Sequence, residues 1–435
     1  MPLHRNVWRL AWPMILSNIS LPLLAAVDTA LLGHLENPTF LGAVAVGSSI
    51  LTFLYWSFGF LRMGTTSLTA RAFGAQDMSQ CRMLLAQSAV LAMGLSLLLI
   101  VLQSLIFPLA LTLMDPSPAT RDLALTYCQI RIFSAPATLA TYGIVGWFIG
   151  LHNTRAPLLI MLGTNVLNII LDCIFILGLD MKSEGAALAT VIAEYTGLFL
   201  GLYLMRNTLK GLGGTLDYPK LLQLHYYSDL LRVNRHLFIR TACLLFSFSF
   251  FTAQGARQGD TLLAANAIIM QLLMLMAYGL DGFAHASEAL IGKAIGRKRL
   301  DEFYNACRAT TFWAFVTAML FTAVFLLAKI PIILVFSDIE ALTNELMTYY
   351  AWLYILPLIC VWSYQLDGIF IGSGKTRGMQ YSMLLSVFLV YLPSWYLTQH
   401  WGNHGLWFAF CVFNLARTLS MANLYARYSR LKSWF

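Results

Sequence analysis

TYGIVGWFIGLHNTR, residues 141–155, returns later in the chain as SYQLDGIFIGSGKTR, residues 363–377. Tyr142 and Tyr364, Gly146 and Gly368, Phe148 and Phe370, Ile149 and Ile371, Gly150 and Gly372, Thr154 and Thr376, and Arg155 and Arg377 are identical at one offset of 222 residues. The same offset pairs Thr126-Tyr127 with Thr348-Tyr349. It also pairs ARAFGAQD (70–77) with GKAIGRKR (292–299) through Ala72/Ala294 and Gly74/Gly296. Shared apolar composition produces scattered matches, but not several blocks at one spacing. The chain is a unit of about half its length written twice.

The composition says what is duplicated. Apolar residues make up 59% of the 435 and charged residues 11%, against about 25% charged in a soluble domain. The mean hydropathy is +0.69. Windows of about 20 apolar residues place twelve spans: about 8–33, 41–63, 84–112, 122–151, 157–178 and 185–205, then 231–254, 262–285, 307–336, 343–372, 377–399 and 403–425. The fold class is therefore an all-α polytopic membrane protein. Six spans per half is an even number, so both halves enter the bilayer in one direction and the repeat is parallel. The Gly-, Pro- and charge-bearing stretch RNTLKGLGGTLDYPKLLQLHYYSD separates them. We expect an N-terminal six-helix lobe over 1–210, a linker on the cytoplasmic side over 211–228, and a C-terminal lobe over 229–435.

The formal charge of +8 does not point to nucleic acid, because of where the bases lie. With the N-terminus inside, most Lys and Arg fall on inner loops, including the cluster GRKRLDEF. Only Arg121, Lys182, Arg257 and Lys329 fall on outer ones. This is the positive-inside pattern of an inner-membrane protein with both termini cytoplasmic. No small-residue cleavage site interrupts MPLHRNVWRLAWPMIL, which leads straight into span one. The seven cysteines are scattered singly, so neither a zinc site nor a disulfide framework is indicated. GSGKTRG (372–378) lacks the first glycine of a phosphate-binding loop. No catalytic constellation is present, so we expect no enzyme, no cofactor, and an ion gradient as the source of energy.

Against that background NIILDCIFILGL (168–179) is conspicuous, because Asp172 sits in an otherwise apolar run. An acid near the centre of a span costs roughly 2.5–3.5 kcal/mol even on a lenient insertion scale. Such residues usually mark an ion or substrate pathway. Asp28 in span one, Asp172 in span five and Thr190 in span six all lie roughly 9–12 Å below the outer surface, at 1.5 Å per residue. Asn165, Asn168 and Asp172 share one helical face, and Glu194 lies one turn beyond Thr190. Two neighbouring carboxylates favour holding a proton between them; the same oxygens suit Na⁺. The counterparts of Asp28 and Asp172 in the second half are Phe250 and Ser394. The acidic pocket thus belongs to the first half. The second half has Asp281, Glu288 and Asp367 instead, which inner bases such as Lys293, Lys375 or Arg377 could neutralise. Pro13 and Pro22 both interrupt span one and predict a bend there.

WPMILSNISLPLLAAVDTALLGHL, GTTSLTARAFGAQD, LNIILDCIFILGL, GAALATVIAEYTG, RVNRHLFIRT and LDGIFIG together resemble the multidrug and toxic compound extrusion (MATE) transporters, specifically the bacterial DinF-type branch. The resemblance runs nearly end to end. It implies two six-helix lobes exporting amphipathic, often cationic compounds in exchange for H⁺ or Na⁺; of the two we expect H⁺. It places the cation site on Asp28, Asn168, Asp172 and Thr190 and helix bending at Pro13; the polar residues read by themselves add Asn165, Glu194, Asp281 and Asp367 as possible secondary residues, with Na⁺ possible at Asp28 and Asp172. His236 stands where that resemblance expects an acid. The partners implied are small-molecule drugs or toxins and the bilayer, with no nucleic acid and a monomeric chain. An ion channel and a lipid-linked sugar flippase are the alternatives. The second would need a cavity lined by bases, for which Arg62, Arg131 and Arg240 are the candidates.

Overall fold

The computed structural model describes residues 2–33, 38–336 and 339–434; side chains at 2, 26, 28–30, 32, 33 and 38 lie outside that description. The described chain is all-helical. Helix α1 is Pro2–Gly33. Eleven further segments are long and apolar enough to cross a bilayer. They are α2 (Thr39–Gly74), α3 (Met78–Met114), α4 (Pro118–Gly150), α5 (Arg155–Gly178), α6 (Lys182–Leu212), α7 (Leu224–Ala256), α8 (Asp260–Gly296), α9 (Leu300–Leu327), α10 (Trp352–Ser373), α11 (Thr376–Trp401) and α12 (Asn403–Arg430). With α1, they account for the twelve spans read from the sequence. Short helices at Tyr218–Leu221, Lys329–Phe336 and Glu340–Tyr349 lie between them.

Local chemistry sets the ends. Asp77 caps α3 by accepting from the Gln80 amide at 2.9 Å, satisfying a donor that the first turn leaves open. Pro118 opens α4, where a missing N–H is harmless. Gly374 closes α10 in the left-handed region at φ 74°, as helix C-termini commonly require. Leu97, Val101 and Leu105, one stripe of α3, are 60%, 69% and 65% exposed. A water-soluble domain would bury such a stripe; a bilayer covers it.

The chain forms two compact units. One is Leu16–Leu231; the other joins Met1–Ile15 to Arg232–Phe435. The change of unit within α1 comes two residues after Pro13, although α1 is helical through both prolines. In the second unit Trp8 packs edge-on against Phe283 and Trp313, and the Trp313 indole donates to His4 Nδ1 at 3.1 Å.

Inside each unit the repeat becomes a matter of contacts. A Cβ on Gly146 would overlap the Arg62 carbonyl, and one on Gly368 would sit 2.6 Å from the Ala284 carbonyl. Residues 62 and 284 are themselves 222 apart. Gly150 is crowded by Thr69 and Gly372 by Ile291, again equivalent residues. Thus α2 crosses α4 as α8 crosses α10, backbone against backbone, because only glycine permits that approach. One step along the same face the halves diverge. Gly143 lies against Ser88. Its counterpart Gln365 donates to Ser287 at 2.5 Å and Thr310 at 2.6 Å, and Thr310 is the counterpart of Ser88.

Candidate functional site

Helix α5 carries the polar face expected of it. Asn165, Asn168 and Asp172 are 8%, 1% and 0% exposed, so the i, i+3, i+7 spacing does turn all three away from the surface. Asn165 Nδ2 donates to Ser20 Oγ of α1 at 2.7 Å, and Ser20 passes its own proton to the Ser17 carbonyl at 2.6 Å. Asn168 Nδ2 reaches Thr190 Oγ1 of α6 at 3.4 Å, while Thr190 donates to the Ala186 carbonyl at 3.0 Å. Three helices of one unit are thereby tied over the two turns that precede Asp172. Asn168 Oδ1 is buried with no hydrogen-bond donor among the described residues. Directly after Asp172 the helix widens to π geometry over Cys173–Gly178, a form that concentrates at functional sites. Asp28 falls on α1, but its side chain lies outside the described residues, so its relation to Asp172 does too.

Glu194, grouped with this cluster by helical spacing, is engaged elsewhere. It pairs with Arg131 at 3.1 Å and accepts from Thr138 Oγ1 at 2.5 Å, both on α4. Tyr55 donates to the Arg131 carbonyl at 3.0 Å and shares a 3.2 Å hydrogen bond with Ser134. The reason is reach: one turn along α6, the side chain meets a half-buried guanidinium, and a half-buried acid goes to the nearest opposite charge.

The second unit gathers its own buried charges. One carboxylate oxygen of Asp367 accepts from both Arg240 and Arg417, the latter at 3.0 Å. Arg417 also donates to Asn414 Oδ1 at 3.2 Å. The partners of Asp367 are thus α7 and α12 arginines within spans, rather than Lys375 or Arg377. Glu288 is 2% exposed and lies 3.4 Å from His285. Asp281 is half-buried on α8. His236 is buried, with Nδ1 3.2 Å from Thr376 Oγ1 and Nε2 3.5 Å from the Arg235 guanidinium. No group of three or more His, Cys, Asp or Glu side chains able to hold a metal occurs among the described residues.

The family description MatE matches residues 13–174 and again 237–397, one match per repeat. The chain belongs to the MatE family. DNA damage-inducible protein F of Escherichia coli (strain K12) is 41% identical over 432 residues, covering 99% of this chain and 94% of that protein. The probable multidrug resistance protein NorM of Acinetobacter baylyi is 22% identical, covering 98% and 97%. In fold, a MATE crystal structure described as the bent conformation superposes with a TM-score of 0.90 at 20% identity, covering 99% of this chain and 96% of that one. A structure described as the straight conformation gives 0.89 at 20%, covering 99% and 97%. This MatE member is therefore a multi-pass membrane transporter of the multidrug and toxin efflux family, not an enzyme.

Proposed function

We propose that this MatE protein is an antiporter that exports amphipathic, often cationic compounds by alternating access, driven by a cation gradient, with H⁺ as the coupling ion and Na⁺ as the alternative. The coupling site is the polar face of α5 with its neighbours: Asp28, Asn168, Asp172 and Thr190. The observation that carries this reading is the complete burial of Asp172 within a membrane-spanning helix, next to two buried asparagines. A fixed negative charge there is expensive, so a site that takes up and releases a cation gives the acid a reason to be present. The open acceptor at Asn168 Oδ1 supports a ligand or proton donor that comes and goes.

Asn165, held by Ser20, is a tie between α5 and α1 through which the state of the site reaches the helix bearing Pro13 and Pro22. Those prolines free backbone acceptors within α1, so bending there is mechanically cheap. Relatives solved in bent and straight conformations are consistent with such motion. Glu194, Asp281 and Asp367 are secondary to coupling, the first and last because ion pairs already occupy them. The basic bias of one set of loops supports cytoplasmic termini, and the chain works as a monomer because each copy carries both halves of the repeat. In chain order the lobes run over 1–210 and 229–435, joined through 211–228, with residues 1–15 grouped by their contacts with the second.

Export by purified protein in vesicles, with ΔpH and a Na⁺ gradient imposed separately, tests this. Drug movement driven by ΔpH alone, lost in Asp172→Asn, is the expected result. Equal transport without any gradient would point to a channel, and export driven only by Na⁺ would change the ion but keep the site.

A further inference from the structure

The unit Leu16–Leu231 contains a cavity of about 380 Å³ between α3, α4 and α6. Its wall is almost wholly apolar, with Ala86, Ala89, Met93, Ala140 and Leu202 among its lining, and one charged side chain, Arg82, at one end. Ala89, Met93 and Leu202 are exposed on membrane-spanning helices, so the opening faces hydrocarbon, not water. The repeat supplies a control. At the 222-residue offset Ala86 becomes Arg308, Ala89 becomes Thr311, Met93 becomes Phe315 and Ala140 becomes Trp362. In that half Phe315 and Trp362 lie against each other with ring centroids 5.7 Å apart. The same place is filled by side chains in one half and left open by alanines in the other.

Charge identifies the occupant. Arg82 donates through Nε to the Gly213 carbonyl and through Nη2 to the Leu209 carbonyl, both at 2.5 Å. Those two bonds use Nε and Nη2 and hold the guanidinium at the end of α6. Arg206 and Lys210 stand on the same last turns of α6. An occupant must be apolar along its length, anionic at one end, and delivered from the hydrocarbon. We propose that the cavity seats an acyl chain of an anionic membrane phospholipid, its phosphate against Arg82. The site is independent of the coupling ion and of the Asp172 face, so the two readings can fail separately.

The test uses the full-length purified protein, delipidated in detergent and titrated with phosphatidylglycerol or phosphatidylcholine while thermal unfolding is followed. A ligand that binds only the folded state raises the melting temperature with its concentration. The wild type should gain a few degrees from phosphatidylglycerol and clearly less from phosphatidylcholine. Ala140→Trp, which installs the residue the other half carries, should lose that gain. Ala89→Leu, a smaller filling, should reduce it and guards against a misfolded tryptophan variant. Arg82→Gln should keep a gain but lose the preference for phosphatidylglycerol. Unchanged gains in both filling variants would overturn the proposal. So would an equal gain from a water-soluble glycerol phosphate, which would make the site a free-phosphate site, or protection by an amphipathic cation in place of lipid, which would make it a drug site.

Discussion

The two units share a helix scaffold and differ in what charge they bury. At the α2/α4 and α8/α10 crossings they are nearly interchangeable: Gly146 against Arg62 repeats as Gly368 against Ala284. At the polar sites nothing repeats. Asp172 answers to Ser394 and Asn168 to Val390, while Asp367 answers to Val145 and Arg417 to Tyr195. The first unit buries a carboxylate among amides. The second sets Asp367 between two guanidiniums, Arg240 and Arg417, and buries Glu288 beside His285. A duplicated scaffold keeps what packing demands and lets each half specialise in chemistry. Backbone contact at a glycine admits no alternative residue, whereas a polar side chain needs only a partner within reach.

That contrast makes Asp172→Asn the most damaging change expected. An amide cannot cycle a proton, so gradient-driven export should fall to background while the folded protein is still made; Asp281→Asn should retain most of it. Vesicle export assays on both variants decide whether coupling resides in the first unit. The reverse pattern would move it to the second.

Stability should show the opposite bias. Asp367→Leu strands Arg240 and Arg417 as buried like charges, and breaking a buried pair costs about 3–5 kcal/mol. Glu194→Gln should cost less, since its pair with Arg131 is 19% and 12% exposed and Thr138 can still donate. Comparing the two unfolding midpoints in one detergent measures the difference; a larger loss at Glu194 would mean that the first unit holds the structural ion pair.

Where the halves agree, mutations should agree as well. Gly146→Ala and Gly368→Ala each force a methyl into a neighbouring carbonyl, so each should destabilise by about 1–3 kcal/mol. A melting-temperature loss confined to one of them would show that the two crossings are not equivalent.

A smaller effect is expected in ligand affinity. If a cationic drug and the coupling cation draw on the same negative charge, drug binding weakens as pH falls, because protonation removes the attraction. The coupling is on the order of tenfold and should be absent in Asp172→Asn. Fluorescence titrations of drug across pH in both proteins settle it: parallel curves would separate the drug from Asp172.

Much of this was readable in the chain itself. A bilayer leaves an unpaired backbone no water to bond, so spans must be continuous apolar helices, and their number, the duplication and the buried face of Asn165, Asn168 and Asp172 follow from local spacing alone. The 222-residue offset pairs Gly146 with Gly368 and Gly150 with Gly372, but does not say which helices they meet. Pairings across long separations were not readable. Nothing local joins Arg131 to Glu194, 63 residues on, or Arg240 to Asp367, 127 residues on. Helical spacing placed Glu194 near Thr190, and only the packing of α6 on α4 took it to Arg131 instead. The cavity beside Ala140 likewise exists only once three helices have met, since an alanine says that room is available but not whether a neighbour takes it. Side-chain period is a property of one helix and is written in sequence; the choice of partner belongs to the arrangement of several, which the tertiary structure alone decides.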